Sequence, residues 1–175
     1  MNVFWTLGYD ATTTDQLLQG MKLTRGSLYK AFGDKKQLFL KSLELYDQRE
    51  VQEAVYALAT PGTSGAERIR LLFSSIANAV EAGDHIGCLL CTTLSGPSAT
   101  DPEIAASTSA QAQKLRDGFS IALKHDGDGK YPDSYADLLV TQYVGLRMLS
   151  RARVPVAIIR ESVDAISQLL ERPDQ

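Results

Sequence analysis

Residues 22–38 read Lys22-Leu23-Thr24-Arg25-Gly26-Ser27-Leu28-Tyr29-Lys30-Ala31-Phe32-Gly33-Asp34-Lys35-Lys36-Gln37-Leu38. The Thr24 hydroxyl suits the cap of a short helix from Arg25 to Phe32, Gly33 stops it, and Asp34 caps the next helix. Just upstream, Asp10-Ala11-Thr12-Thr13 precedes another short helix, beginning near Thr14 and ending at about Met21. Two short helices around a tight turn, the second rich in small and polar residues, make the pattern of a helix-turn-helix. In such a unit the second helix enters the major groove and its first-turn side chains reach base edges.

The spacing of Leu28, Ala31 and Phe32 places them on one inward face, which leaves Thr24, Arg25, Ser27, Tyr29 and Lys30 to project elsewhere. Arg25 has the planar fork that reads guanine, and Ser27 suits a base or a phosphate. Tyr29 and Lys30 suit phosphate, which fixes register and not sequence. Lys35 stands at a helix start whose free N–H groups make a second phosphate anchor. Thr13, Thr14 and Lys22 complete the candidate DNA contacts. Lys22 occupies the turn, where a left-handed backbone costs a non-glycine residue on the order of 1 kcal/mol.

The remainder reads as helices, with no sustained alternation of the kind strands need. Apolar residues carry a long helix from Asp34 to about Leu58, and Pro61-Gly62-Thr63-Ser64-Gly65 breaks it. Ile69, Leu72, Phe73, Ile76 and Val80 repeat at helical spacing. A short apolar segment from Cys88 to Leu94 follows. Asp101-Pro102-Glu103 opens a further helix, an Asp cap followed by Pro at the first position, expected to reach Lys124. His125-Asp126-Gly127-Asp128-Gly129 reads as a turn. Two helices, about 133–151 and 155–170, close the chain. The expectation is all-α, about nine helices: an amino-terminal helix-turn-helix unit over 1–46 and a larger helical domain over 47–175.

Charge follows this division. The chain carries −3 overall, yet residues 1–41 set Lys22, Arg25, Lys30, Lys35, Lys36 and Lys41 against only Asp10, Asp15 and Asp34. A basic head on an acidic body suits a molecule whose head alone meets phosphate. At 44% apolar and 22% charged the composition is that of a globular protein with a sizeable core. No run reaches the length of a membrane span, and no secretory signal pattern is visible, which predicts a cytoplasmic location. With two cysteines there is no disulfide framework to read.

The segments Gly8-Tyr9-Asp10-Ala11-Thr12-Thr13, Leu23 to Phe32, and Asp34-Lys35-Lys36-Gln37-Leu38 together resemble, in order and spacing, the DNA-binding signature of the TetR/AcrR family. More loosely, Gly87-Cys88-Leu89-Leu90 followed by Asp101-Pro102-Glu103-Ile104 resembles a segment in one branch of its ligand-binding domains. The resemblance implies an all-helical homodimer joined by its last two helices, bound to double-stranded operator DNA. It also implies a cavity among the central helices for a small-molecule inducer that releases the repressor. Where the family carries a full first helix after a basic arm, the sequence here opens with only the end of that helix, Met1 to Leu7: either a shortened first helix or one whose earlier residues lie upstream of Met1.

The apolar residues Leu138, Leu139, Tyr143, Leu146, Met148 and Leu149, then Val156, Ile158, Ile159, Val163, Ile166 and Leu170, cover more than one face of their helices, which points to a partner surface. Phe73, Ile76, Cys88, Cys91, Phe119 and Tyr143 are the cavity candidates, and their character suggests a mainly apolar or aromatic inducer. Cys88 and Cys91, three apart with His85 a turn earlier, permit a second reading: a thiol-based sensor of oxidants, electrophiles or a soft metal. A third reading is a helical interaction module that does not bind DNA. No catalytic set, phosphate loop, cofactor motif or full metal-ligand set is present, so an enzyme is not expected.

Overall fold

A computed structural model describes residues 1–127 and 129–171; Asp128 of the expected turn and residues 172–175 of the expected second domain lie outside the described residues. Among these the chain forms ten α-helices: α1 Asn2–Leu7, α2 Thr14–Met21, α3 Arg25–Phe32, α4 Lys35–Tyr46, α5 Gln52–Ala59, α6 Gly65–Glu81, α7 Leu89–Leu94, α8 Pro102–His125, α9 Ser134–Arg151 and α10 Val156–Glu171. A π turn, Asp47–Val51, joins α4 to α5 without a break, and a 3₁₀ turn covers Pro97–Thr100. With α4 and α5 taken as one long helix, the expected nine are found.

Caps set the boundaries that the sequence announces. Thr13 accepts from the Gln16 amide at 3.2 Å while the Gln16 side chain accepts from the Thr13 amide at 2.8 Å, a reciprocal capping box. Thr24 accepts from Ser27 N at 3.2 Å, Asp34 from Gln37 N at 2.8 Å, and Ser64 from Glu67 N at 3.1 Å. Asp101 caps α8 through Glu103 N and Ile104 N, with Pro102 in the first turn.

In the head, Phe4, Leu17, Leu28, Leu38 and Phe39 are buried. Phe4 meets Phe39 edge-on at 4.9 Å between ring centroids, and Tyr9 lies 4.6 Å from Phe39. One expected inward residue is not inward: Ala31 is exposed, while Leu28 is buried and Phe32 half-buried. Two turns of helix present only a narrow buried stripe, and Leu28 with Phe32 fills it.

The body is built around α8, which packs against α5, α6 and α9, while α10 lies along α6. At Gly118 of α8 a Cβ would come within 3.2 Å of the Leu58 side chain, so glycine allows the close approach to α5. Phe73, Phe119 and Tyr143 form an aromatic cluster from α6, α8 and α9, with centroids 5.9 to 6.4 Å apart. None of the described helices is long and apolar enough to cross a membrane.

Candidate nucleic-acid interface

The turn between α2 and α3 is built as the sequence suggests. Lys22 adopts φ 54°, ψ 41°, the left-handed region. Its amide reaches Gln19 O at 3.3 Å, and Leu23 N reaches Leu18 O at 3.1 Å. That closes α2 and turns the chain into α3, leaving the Lys22 side chain exposed. Arg25, Ser27, Tyr29 and Lys30 are also exposed on α3. Gly26 has nothing within 4 Å of a Cβ position, so this side of α3 is open.

Several candidates are already engaged. Arg25 donates to Asp15 Oδ1 at 2.8 Å; both side chains are well exposed, so the pair is screened by water and costs little to open. The Thr24 and Ser27 hydroxyls lie 2.9 Å apart, one donating to the other. Lys35 Nζ stands 4.4 Å from the centre of the Tyr9 ring, and partial burial, opposed by the Asp10 charge, lowers its pKa. Thr13 is exposed at the start of α2, and Thr14 is half-buried beside it.

Long-range contacts fasten this head to the body. Arg151, in the last turn of α9, donates to Trp5 O at 3.1 Å, Ile86 O at 2.9 Å and Thr6 O at 2.6 Å. The Trp5 indole donates to Gly87 O at 3.3 Å and meets the Tyr46 ring edge-on at 5.0 Å. Asp10 accepts from Ser98 Oγ at 2.9 Å. Lys36 pairs with Asp101 at 3.0 Å and with Glu103, and those hydrogen bonds raise its pKa. Neither Arg151 nor Asp10 was a sequence candidate. Asp101 was, as a cap, and it uses one oxygen for the cap and the other for Lys36.

Residues 1–41 match the model of bacterial regulatory proteins of the tetR family. The match covers α1 to α4 as far as Lys41, the segment that carries the helix-turn-helix. The whole chain is also similar to the uncharacterized HTH-type transcriptional regulator YezE of Bacillus subtilis (strain 168), 26% identical over 99% of this chain and 88% of that protein. Its fold is shared with the TetR family transcriptional regulator CifR, solved as a double cysteine mutant with 26-bp double-strand operator DNA: TM-score 0.81, 23% identity, 95% of this chain and 90% of that one. Reduced NemR of E. coli has the same fold, with TM-score 0.83, 16% identity, and the same coverage of 95% and 90%.

Behind this head, the six cavity candidates do not enclose one space. Phe73, Ile76 and Phe119 are closed into the core, 0 to 2% exposed. Tyr143 alone of the six lines the larger central cavity. That cavity, about 420 Å³, lies between α5, α6 and α9, with Glu50, Glu53, Ala54, Ala57, Arg68, Leu71, Leu72, Ser75 and Arg147 in its wall. Cys88 and Cys91 line a separate space of about 60 Å³ that also has Arg147 and Arg151 in its wall.

Both thiols are buried and free. The Tyr46 hydroxyl donates to Cys88 Sγ at 3.0 Å. A hydrogen bond from Cys91, opposed by burial and aided by Tyr46 and Arg147, pulls the Cys88 pKa down to about 6. The same contact and burial push Cys91 up. His85 turns away, its Nδ1 lying 3.2 Å from Ser150 O on α9. Among the described residues no three His, Cys, Asp or Glu side chains group as metal ligands do.

Proposed function

We propose that the protein is a homodimeric transcription repressor that binds operator DNA through α3 and leaves it when a small molecule enters the central cavity. The observation that carries this reading is the open face of α3, with Arg25, Ser27, Tyr29 and Lys30 exposed together behind a left-handed turn at Lys22. Support comes from the family match over these same residues and from the operator complex of CifR. Arg25 reads a base after releasing Asp15; Tyr29, Lys30, Lys22 and Lys35 hold phosphates, with Thr13 and Thr14 at the neighbouring helix start.

Dimerisation places two heads on a roughly palindromic site. The surface we assign to it is the exposed apolar set Leu138, Met148, Leu149 and Ile158 on α9 and α10. A shallow groove of about 310 Å³ lies there, with Leu138, Ile166 and Leu169 in its wall. Nothing lies within 4 Å of a Cβ position at Gly145, so a partner helix has room to come close. Selection from a pool of random duplexes tests the function. The expected result is an enriched palindrome that Arg25→Ala loses, with binding that falls steeply as salt rises. Failure to enrich any duplex favours the interaction-module reading.

One observation favours a second reading on the same scaffold: the buried Tyr46–Cys88–Cys91 cluster beside Arg147. A thiolate there is the form that oxidants and electrophiles attack. Operator release by peroxide or N-ethylmaleimide, abolished in Cys88→Ser, supports that reading; release unchanged in Cys88→Ser and Cys91→Ser removes it.

A further inference from the structure

The central cavity has two guanidinium groups in its wall that no carboxylate pairs with among the described residues; on its far side Arg147 also faces Cys88 and Tyr46. Arg68, on α6, is 5% exposed. Its Nη1 donates to Thr60 O at 2.8 Å, while its Nε and Nη2 are buried without a partner. Arg147, on α9, has a buried Nε without a partner and lies 6.0 Å from the Tyr143 ring. Among the described residues neither arginine has a carboxylate within ion-pairing distance; Glu50 and Glu53 also line the cavity, but neither pairs with them. Buried guanidinium N–H groups without an acceptor are costly, and a carboxylate supplies acceptors and opposite charge together.

We propose that this cavity takes an organic monocarboxylate, its carboxylate held by Arg68 and Arg147 and its apolar body lying on Ala54, Ala57, Leu71, Leu72 and Tyr143. The inference deepens the inducer half of the proposed function and rests on that reading for its regulatory meaning. Guanidinium matches a carboxylate with two parallel hydrogen bonds. As the ligand enters, the Arg68 guanidinium turns toward it to present its free N–H groups. A volume of about 420 Å³ lies within the range of small-molecule sites. Glu50 is half-buried and Glu53 exposed; their charges disfavour a ligand with a second negative group, so phosphates and dicarboxylates fit poorly. The ligand joins α6 and α9 to α5, and α5 continues through the π turn into α4 of the head. A charged anchor also amends the sequence expectation of a mainly apolar inducer.

The test is calorimetric titration of the full chain with benzoate, phenylacetate and octanoate, each beside its neutral primary amide. At least one acid is expected to bind about tenfold or more tightly than its amide, as loss of a charge-assisted pair implies. Arg147→Gln is expected to remove that preference, and Glu50→Gln, in the cavity wall, to strengthen acid binding. Melting curves check that each variant is folded. Equal binding of acid and amide, no binding of any acid, or an acid preference that survives Arg147→Gln overturns the proposal. Duplex selection is run separately: acid binding without operator binding sinks only the repressor reading, and operator binding without acid binding sinks only this one.

Discussion

Replacing Arg151 with methionine keeps most of the aliphatic stem and removes all three hydrogen bonds to the chain near α1. Two of the acceptors, Trp5 O and Ile86 O, are partly buried, at 3.1 and 2.9 Å; the third, Thr6 O, is exposed and regains water. At about 1.5 kcal/mol for each charge-assisted bond to a shielded carbonyl, the loss is about 3 kcal/mol. For a chain of this length that lowers the melting temperature by about 6–12 °C. The loss falls on the attachment of α1, so hydrogen exchange at the amides of Trp5 to Gly8 is expected to quicken by about 100-fold, while α8 amides change less. A melting loss under about 2 °C with unchanged exchange in α1 would refute the view that Arg151 holds the head to α9.

Three further outcomes follow from the same geometry. Lys22→Gly relieves a left-handed side chain while loosening the unfolded chain, so stability is expected to change by less than about 1 kcal/mol, whereas the salt slope of DNA binding falls by about one charge; an unchanged slope removes Lys22 from the phosphate contacts. Gly65→Ala puts a Cβ 1.7 Å from Ala122 O, at the α6 start that Asp126 caps through Gly65 N at 2.5 Å and Ala66 N at 2.9 Å; a loss of several kcal/mol is expected in chemical denaturation, about 3 or more. Cys88, lowered from 9.0 to about 6, leaves the folded chain with fewer bound protons than the unfolded chain between those values. Between pH 6 and 9 stability is therefore expected to rise with pH, the Cys88 contribution being lost as pH falls through 6, while above 9 the raised Cys91 turns the trend down; Cys88→Ser should flatten the rise, and a wild-type melting temperature level from pH 6 to 9 would contradict it.

Local signals were legible and distant ones were not. Thr13, Thr24, Asp34 and Asp101 announce their caps because each satisfies an amide two or three residues away. The left-handed turn at Lys22 is legible only through the family resemblance, since lysine itself does not announce it. Ala31 misled because 3.6-residue spacing marks a face without saying how wide a stripe the packing covers. Arg151 meets Trp5 across 146 positions, and no local pattern encodes that. Arg68 lies inside an amphipathic helix, where an arginine ordinarily reads as solvated; only the structure shows its guanidinium buried. Of the apolar cavity candidates, Phe73, Ile76 and Phe119 are closed core, because the most apolar side chains pack against one another and leave the space beside mixed ones.

The π turn at Asp47–Val51 has a consequence for how this chain tolerates change. Buried positions run Leu38, Phe39, Ser42, Leu43 and Tyr46, then Val51, Ala54 and Leu58. The step from Tyr46 to Val51 is one residue longer than a helical turn, and each residue advances the face by about 100°. The segment thus acts as a vernier between two rulers, setting the angular phase of the head's helix against that of the body. Deleting one residue there would leave the helix unbroken yet rotate every later side chain out of step, sending apolar residues toward water. A lineage that gained or lost one residue in 47–51 would have to re-tune either the head or the body, so the length of this segment is fixed more tightly than its composition.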